Sequence, residues 1–360
     1  MGDHALITFA LFAYKQEPFV REAIEGALAQ TYEPLEIILS DDCSPDRTFE
    51  IMKEMAAAYR GPHHIVLNRN ERNLGVGAHV NRVVSLAQGE LIVAAAGDDV
   101  SLPDRTQCLY DAWVSEGKTA TSLYSDCENI DEHSVVIESA IRGGRFCGSR
   151  REGVVDIVKY IQNRSLACII PGCAHAWSRR AFLQEGPLND DVWFEDKTIG
   201  FRSLVAGSFV YVPRRLVRYR RHSSNLWGIR IQDKSRVIRI RKELQAEFVD
   251  ASRWIGVLNN YRKDVETFVS QGVLSPEERE LILRAIRWRL KVKRGYIGMY
   301  RYFRVLLWAW ALIQLASRFL YVRSGKMLRG HFRSGRSQSG ESHGLAPTAT
   351  EENSVKKGPR

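Results

Sequence analysis

Four short, largely apolar runs alternate with amphipathic stretches over the first hundred residues, and that alternation limits the fold more than any other feature. Leu6 to Phe12 is the first run, followed by Phe19, Val20, Ala23, Ile24, Ala27 and Leu28 at helical spacing. Leu35, Ile37, Ile38 and Leu39 form the second run, which ends at Asp41-Asp42. Ser44-Pro45 predicts a helix start, with Ser as cap and Pro in the first turn, ahead of Met52, Met55, Ala56 and Tyr59. Ile65 to Leu67 is the third run. The loop Asn73-Leu74-Gly75-Val76-Gly77 then leads to a helix through Val80, Val83, Val84 and Ala87. Leu91 to Ala96 is the fourth. Strand alternating with helix in this way predicts an α/β fold with a doubly wound, largely parallel sheet, its strands apolar throughout because helices cover both faces. Further on, Val154 to Ile161 reads as helix and Phe209 to Val212 as strand, and from Asp233 the chain reads as entirely helical.

The fourth run stops at Gly97-Asp98-Asp99. Adjacent carboxylates repel one another and lose solvation when buried, so a strand ending on two of them calls for a cation or a hydrogen-bonding ligand. The competing reading is an acidic cap on a helix begun by Leu102-Pro103-Asp104. Asp41-Asp42 and Glu195-Asp196 also lie at strand ends or just beyond them, and open α/β sheets bind ligands there. A nucleotide diphosphate with a divalent cation fits such a crevice. One carboxylate accepts from the base, one from the ribose, one binds Mg2+ or Mn2+, and another removes a proton from an attacking hydroxyl.

The ordered set of motifs resembles glycosyltransferase family 2, whose GT-A fold implies a doubly wound mixed sheet, followed here by a helical C-terminal region. The resemblance rests on Ala13-Tyr14-Lys15, Ala27-Leu28-Ala29-Gln30-Thr31-Tyr32 and the run from Glu36 through Asp41-Asp42-Cys43-Ser44-Pro45-Asp46-Arg47-Thr48. Asn73-Leu74-Gly75, Gly89-Glu90-Leu91-Ile92, Gly97-Asp98-Asp99 and Trp193-Phe194-Glu195-Asp196 follow in that family's order, from Ala5 to about Trp227. The resemblance implies an inverting sugar transferase using a nucleotide-sugar donor. It gives Asp42 the nucleobase and Asp98 the ribose or diphosphate, with Tyr14 and Lys15 on the donor side. Asp99 becomes the cation ligand, Asp196 the general base, and Glu195 the residue that holds the acceptor or orients Asp196. Tyr219-Arg220-Arg221-His222 is similar to the family's closing motif, which sets His222 near the cation and donor phosphates. Lys15 stands where the family often has Asn, and Ala96 where it often has a further Asp. These departures motivate an alternative, a non-catalytic membrane-bound partner with the same fold. A nucleotidyltransferase would need a glycine-rich basic loop after the first strand, and Ala13-Tyr14-Lys15-Gln16 is not one.

The net charge of +10 is concentrated in the last third of the chain. Ser275-Pro276-Glu277-Glu278 predicts a capped helix start, followed by Arg284, Arg287, Arg289, Lys291, Lys293 and Arg294, and then by the apolar run from Val305 to Ser317. That run is short for a bilayer span, so the expectation is a basic, aromatic helix at an anionic membrane surface. Whether 303–322 inserts there or packs in a helical core is left open. The aromatic residues cluster with Leu and Ile rather than lining a basic groove, which argues against nucleic acid. The six cysteines form no CxxC pair and read as reduced. No basic-then-apolar leader begins the chain, so the expected location is cytoplasmic, peripheral at the inner membrane face. The expected organisation is a catalytic domain over 1–230, a helical basic region over 231–333 and a disordered tail over 334–360.

Overall fold

The structure, a computed structural model, describes residues 4–141, 154–162, 171–206, 209–223, 225 and 236–302. Its strands are β1 (Ile7–Ala13), β2 (Leu35–Asp41), β3 (His64–Arg69), β4 (Leu91–Ala96), β5 (Val100–Ser101), β6 (Ser122–Ile130), β7 (Val136–Ile141), β8 (His175–Ser178) and β9 (Phe209–Arg220). Its helices are α1 (Val20–Leu28), α2 (Thr48–Ala58), α3 (Val76–Leu86), α4 (Arg105–Ser115), α5 (Val154–Gln162), α6 (Arg179–Glu185), α7 (Glu195–Ala206), α8 (Arg236–Ser270) and α9 (276–302). The apolar run from Val305, the tail over 334–360, Cys147 and Cys168 lie outside the described residues.

All nine strands join one sheet in the order β3-β2-β1-β4-β8-β6-β9-β5, with β7 beside β6. The first four pair in parallel. β8 is antiparallel to both β4 and β6, and β9 runs parallel to β6. The carboxyl ends of β1, β2, β4, β6 and β9 therefore share one edge, where β8 begins. The sheet is mixed, and its parallel half is the one the alternating sequence predicts.

The apolar runs are explained by burial on both faces. Phe9 lies in register with Ile37 and Val93. These residues pack with Val20 and Ile24 of α1, Met52 of α2 and Trp113 of α4. The alternate residues Ala10, Ile38, Ile92 and Ala94 meet Val80, Val83 and Val84 of α3 and Phe182 of α6 on the other face. Each large apolar side chain so buried contributes about 1.5–3 kcal/mol relative to exposure. β9 continues well past the predicted end at Val212. Pro213 follows there, and the pairing with β6 slips between Val212 and Arg215. A proline without an N–H is accommodated at such a bulge, after which the ladder resumes.

α8 does not stand apart from the sheet. Trp254, Val257, Leu258 and Tyr261 of α8 pack with Phe201 and Val205 of α7 and with Ile282 and Ile286 of α9. Met1–Tyr300 forms one compact unit. The capping box at the start of α9 is closed in both directions. Ser275 N donates to Glu278 Oε2 at 2.9 Å, and Glu278 N donates to Ser275 Oγ at 3.2 Å. Two of the basic residues on α9 face inward: Lys293 Nζ bonds Asp250 Oδ2 at 2.6 Å, and Arg289 donates to the Gln162 carbonyl at 2.8 Å. Among the described residues no helix is long and apolar enough to cross a membrane.

Candidate active site

The loops after β1 and β2 are bolted together at the shared edge. Lys15 N donates to Ser44 Oγ at 2.9 Å, and Gln16 N to Thr48 Oγ1 at 2.9 Å. Ser44 N donates to Asp41 Oδ2 at 2.9 Å. Ser44 is thus spent on the loop rather than on a helix cap, and α2 starts at Thr48, whose N–H is accepted by Asp46 at 3.1 Å. Lys15 and Cys43 both have positive φ, 57° and 60°, an uncommon conformation outside glycine that concentrates at functional loops. Tyr14 is left 39% exposed with the Lys15 ammonium 5.0 Å above its ring, so both present their side chains at the rim.

Asp42 is buried and braces the next wall. It accepts from Asn70 Nδ2 at 2.8 Å, Leu74 N at 2.8 Å and Gly75 N at 3.0 Å. A carboxylate has about four acceptor positions, of which these bonds use three.

Asp98 and Asp99 sit in a turn between β4 and β5, not on a helix, and α4 begins later at Arg105. That excludes the helix-cap reading. Gly97 permits the turn to lie close to the β1 end, since a Cβ there would sit 2.4 Å from Gln16 Oε1 and 2.8 Å from Ala13 Cβ. The two acids diverge. Asp98 Oδ2 lies 3.1 Å from His222 Nε2, and the His222 ring packs on Phe19 with centroids 4.6 Å apart. Asp99 points inward, accepts Arg220 N at 2.8 Å and is bonded to the Cys173 thiol. Burial, reinforced by Cys173 and the charge of Asp98, pushes its carboxyl well above the usual range.

Arg220 is the residue to which the sequence reading gave no role. Its guanidinium is fully buried and donates to the Asp98 carbonyl at 2.8 Å, Ser134 Oγ at 2.9 Å and Glu22 Oε2 at 2.8 Å. It ties α1, the Asp98-Asp99 turn and the segment between β6 and β7 to the end of β9. β9 carries four arginines, and nothing in the sequence marks Arg220 as the buried one among them. By contrast, Trp177 and Arg105 are buried in the core. Arg105 donates to Ser101 Oγ at 2.8 Å and the Ala94 carbonyl at 2.6 Å.

Glu195 and Asp196 open α7, where the positive end of the helix dipole favours acids. Asp196 Oδ2 lies 2.8 Å from the buried Lys197 ammonium. Burial and the Asp196 charge raise the Glu195 carboxyl to about 8. Gly172 lets the pair approach β8, because a Cβ there would meet Glu195 Oε1 at 2.6 Å. Cys173, the next residue, touches Asp99, so Gly172-Cys173 links the acids of α7 to the turn after β4. The structure thus brings Asp98, Asp99, His222, Glu195 and Asp196 to the start of β8, while Asp42, Tyr14 and Lys15 line the wall formed after β1 and β2. Among the described residues no group of three or more His, Cys, Asp or Glu side chains is arranged to hold a metal by itself.

The chain is similar to several known proteins. An uncharacterized protein of Mycobacterium bovis is 27% identical over 255 residues, covering 66% of this chain and 65% of its own length, just under two thirds. The glycosyltransferase GlyG of Streptococcus pneumoniae is 26% identical over 230 residues, covering 61% of this chain and 72% of its own. A crystal structure of TarS 1–349 of S. aureus aligns over 82% of this chain and 91% of that one, with 12% identity and a TM-score of 0.47. The profile of glycosyl transferase family 2 matches residues 8–174, from β1 to the start of β8. Over residues 8–174, a little under half of its length, the chain thus carries a domain that matches glycosyl transferase family 2.

Proposed function

We propose that this glycosyltransferase moves a sugar from a nucleotide diphosphate donor to a hydroxyl of a glycan or lipid-linked acceptor, with inversion, at a membrane surface. The observation that carries the reading is the contact chain Asp98–Asp99–Cys173–Gly172–Glu195, which joins the strand-end acids to the acid pair of α7. On the donor side, Asp42 offers its remaining acceptor position to the base, and Tyr14 and Lys15 flank the nucleotide. A hard divalent cation takes few protein ligands beside phosphate oxygens and water, and the adjacent Asp98 carboxylate and His222 imidazole suit Mg2+ or Mn2+. The ligand role expected of Asp99 passes to Asp98, because the Asp99 carboxylate is buried and committed to Arg220 and Cys173. A bound cation would neutralise the diphosphate as it departs.

Chemistry in this reading needs one ionised and one protonated acid. Asp196, beside Lys197, takes the proton from the acceptor hydroxyl as its oxygen bonds the anomeric carbon. The bond from that carbon to the diphosphate breaks with its electron pair on the departing oxygen. Glu195 keeps its proton near neutral pH and donates a hydrogen bond instead of adding a second negative charge. Trp193, 46% exposed two residues before Glu195 and held by Arg253 at 4.7 Å, offers a flat face suited to an acceptor sugar ring.

Calorimetry with a panel of nucleotide diphosphates, with and without Mn2+, tests the donor side. Tight binding to at least one nucleotide is expected, strengthened by Mn2+ in the wild type and much less so in Asp98→Asn. No binding to any of them would favour the non-catalytic alternative.

A further inference from the structure

The membrane side of the proposed function has a specific candidate surface within the described residues. α9 buries Ile282, Ile286, Arg289, Leu290 and Lys293 against α5 and α8. Its opposite face carries Leu281, Trp288 and Met299, all exposed, with Trp288 at 48%. At 100° per residue these three fall within one narrow stripe about 27 Å long. Arg284 and Lys291 are exposed along one flank of that stripe, and Arg287 and Arg294 are exposed further round the same side. Among the described residues, Arg287 alone of these is bonded to a carboxylate, Glu280, at 2.6 Å.

The cationic flank continues into a groove of about 800 Å3 between α8 and α9, which Arg262, Lys263, Arg279, Lys291 and Arg294 help to line. One of its two carboxylates, Glu266, is neutralised by Arg279 at 2.6 Å, and the other is Glu280. An exposed stripe holding a tryptophan costs solvation in water, and a second copy of the same face would bring like charges together. An anionic bilayer satisfies both parts: its headgroups meet the cations while the aromatic and aliphatic side chains enter the interface.

We propose that the outward face of α9 docks this enzyme on an anionic lipid surface. The inference deepens the membrane part of the proposed function and is independent of the donor and of the assigned base. Its test is co-sedimentation of the full chain with phosphatidylcholine vesicles, with or without phosphatidylglycerol, across a salt series. Binding is expected only to the anionic vesicles and is expected to weaken as salt rises. Each cation is worth about fivefold in partitioning, so the triple variant Arg284→Gln, Lys291→Gln, Arg294→Gln should bind about 100-fold more weakly. Trp288→Ala should lose about tenfold at every salt concentration. Unchanged melting temperature and donor binding in these variants would show that the fold and donor site are intact. Vesicle binding that survives all of these substitutions, or equal binding to neutral vesicles, would overturn the proposal. So would a wild-type dimer that ignores vesicles and dissociates on Trp288→Ala, which would make the face a contact between copies.

Discussion

Glu195 and Asp196 are neighbours in sequence, yet their surroundings differ. Asp196 faces an ammonium at 2.8 Å, whereas Glu195 is desolvated beside a negative charge and is raised to about 8. Below that pH Glu195 is protonated and neutral. As pH rises through about 8 it ionises, the two carboxylates repel, and the acceptor loses a hydrogen-bond donor. The pH profile of kcat/KM should therefore have an alkaline limb near 8, and Glu195→Gln, permanently neutral, should retain most activity while losing that limb. An unchanged limb in the variant would assign it to another group. At this scale the sequence made the acidic positions visible but not their orientation. Asp98 and Asp99 are equivalent in a linear reading. What separates them is Arg220, whose N–H fixes Asp99 from 121 residues away.

Helix α7 is positioned by a clamp that has no local signature. Arg202 is fully buried, and donates to Asp264 of α8 at 3.0 and 2.8 Å and to the Gly186 carbonyl at 2.7 Å. Tyr261 of α8 adds a bond to the Lys197 carbonyl at 2.9 Å and stacks on Phe201 with centroids 4.1 Å apart. The helix bearing the acids is thus set by the helix that follows the sheet. Arg202→Met would leave Asp264 buried and charged without its partner and should destabilise the fold by about 3–5 kcal/mol. Denaturant midpoints measure this, and adding Asp264→Leu should recover part of the loss. An additive double variant would mean that the clamp is not a coupled pair. Local devices such as the Ser275–Glu278 capping box are legible because both partners lie within one turn. The Arg202–Asp264 pair spans 62 residues and follows only from the packing.

For the whole molecule, the parallel half of the sheet was legible because each strand is buried on both faces and each helix repeats its apolar stripe. The antiparallel insertion of β8 was not, since His175–Ser178 is too short to carry a periodic pattern. Yet that insertion delivers Gly172-Cys173 to the site and brings the acids of α7 beside the turn after β4. In the proposed reading it builds one site from residues nearly a hundred positions apart, with Asp196 as the proton acceptor. Single-turnover transfer by Asp196→Asn, using the donor identified by calorimetry and its acceptor, tests that assignment most directly. The rate should fall by about 10²–10⁴-fold while donor affinity stays close to that of the wild type. A variant that transfers at the wild-type rate would contradict the assignment.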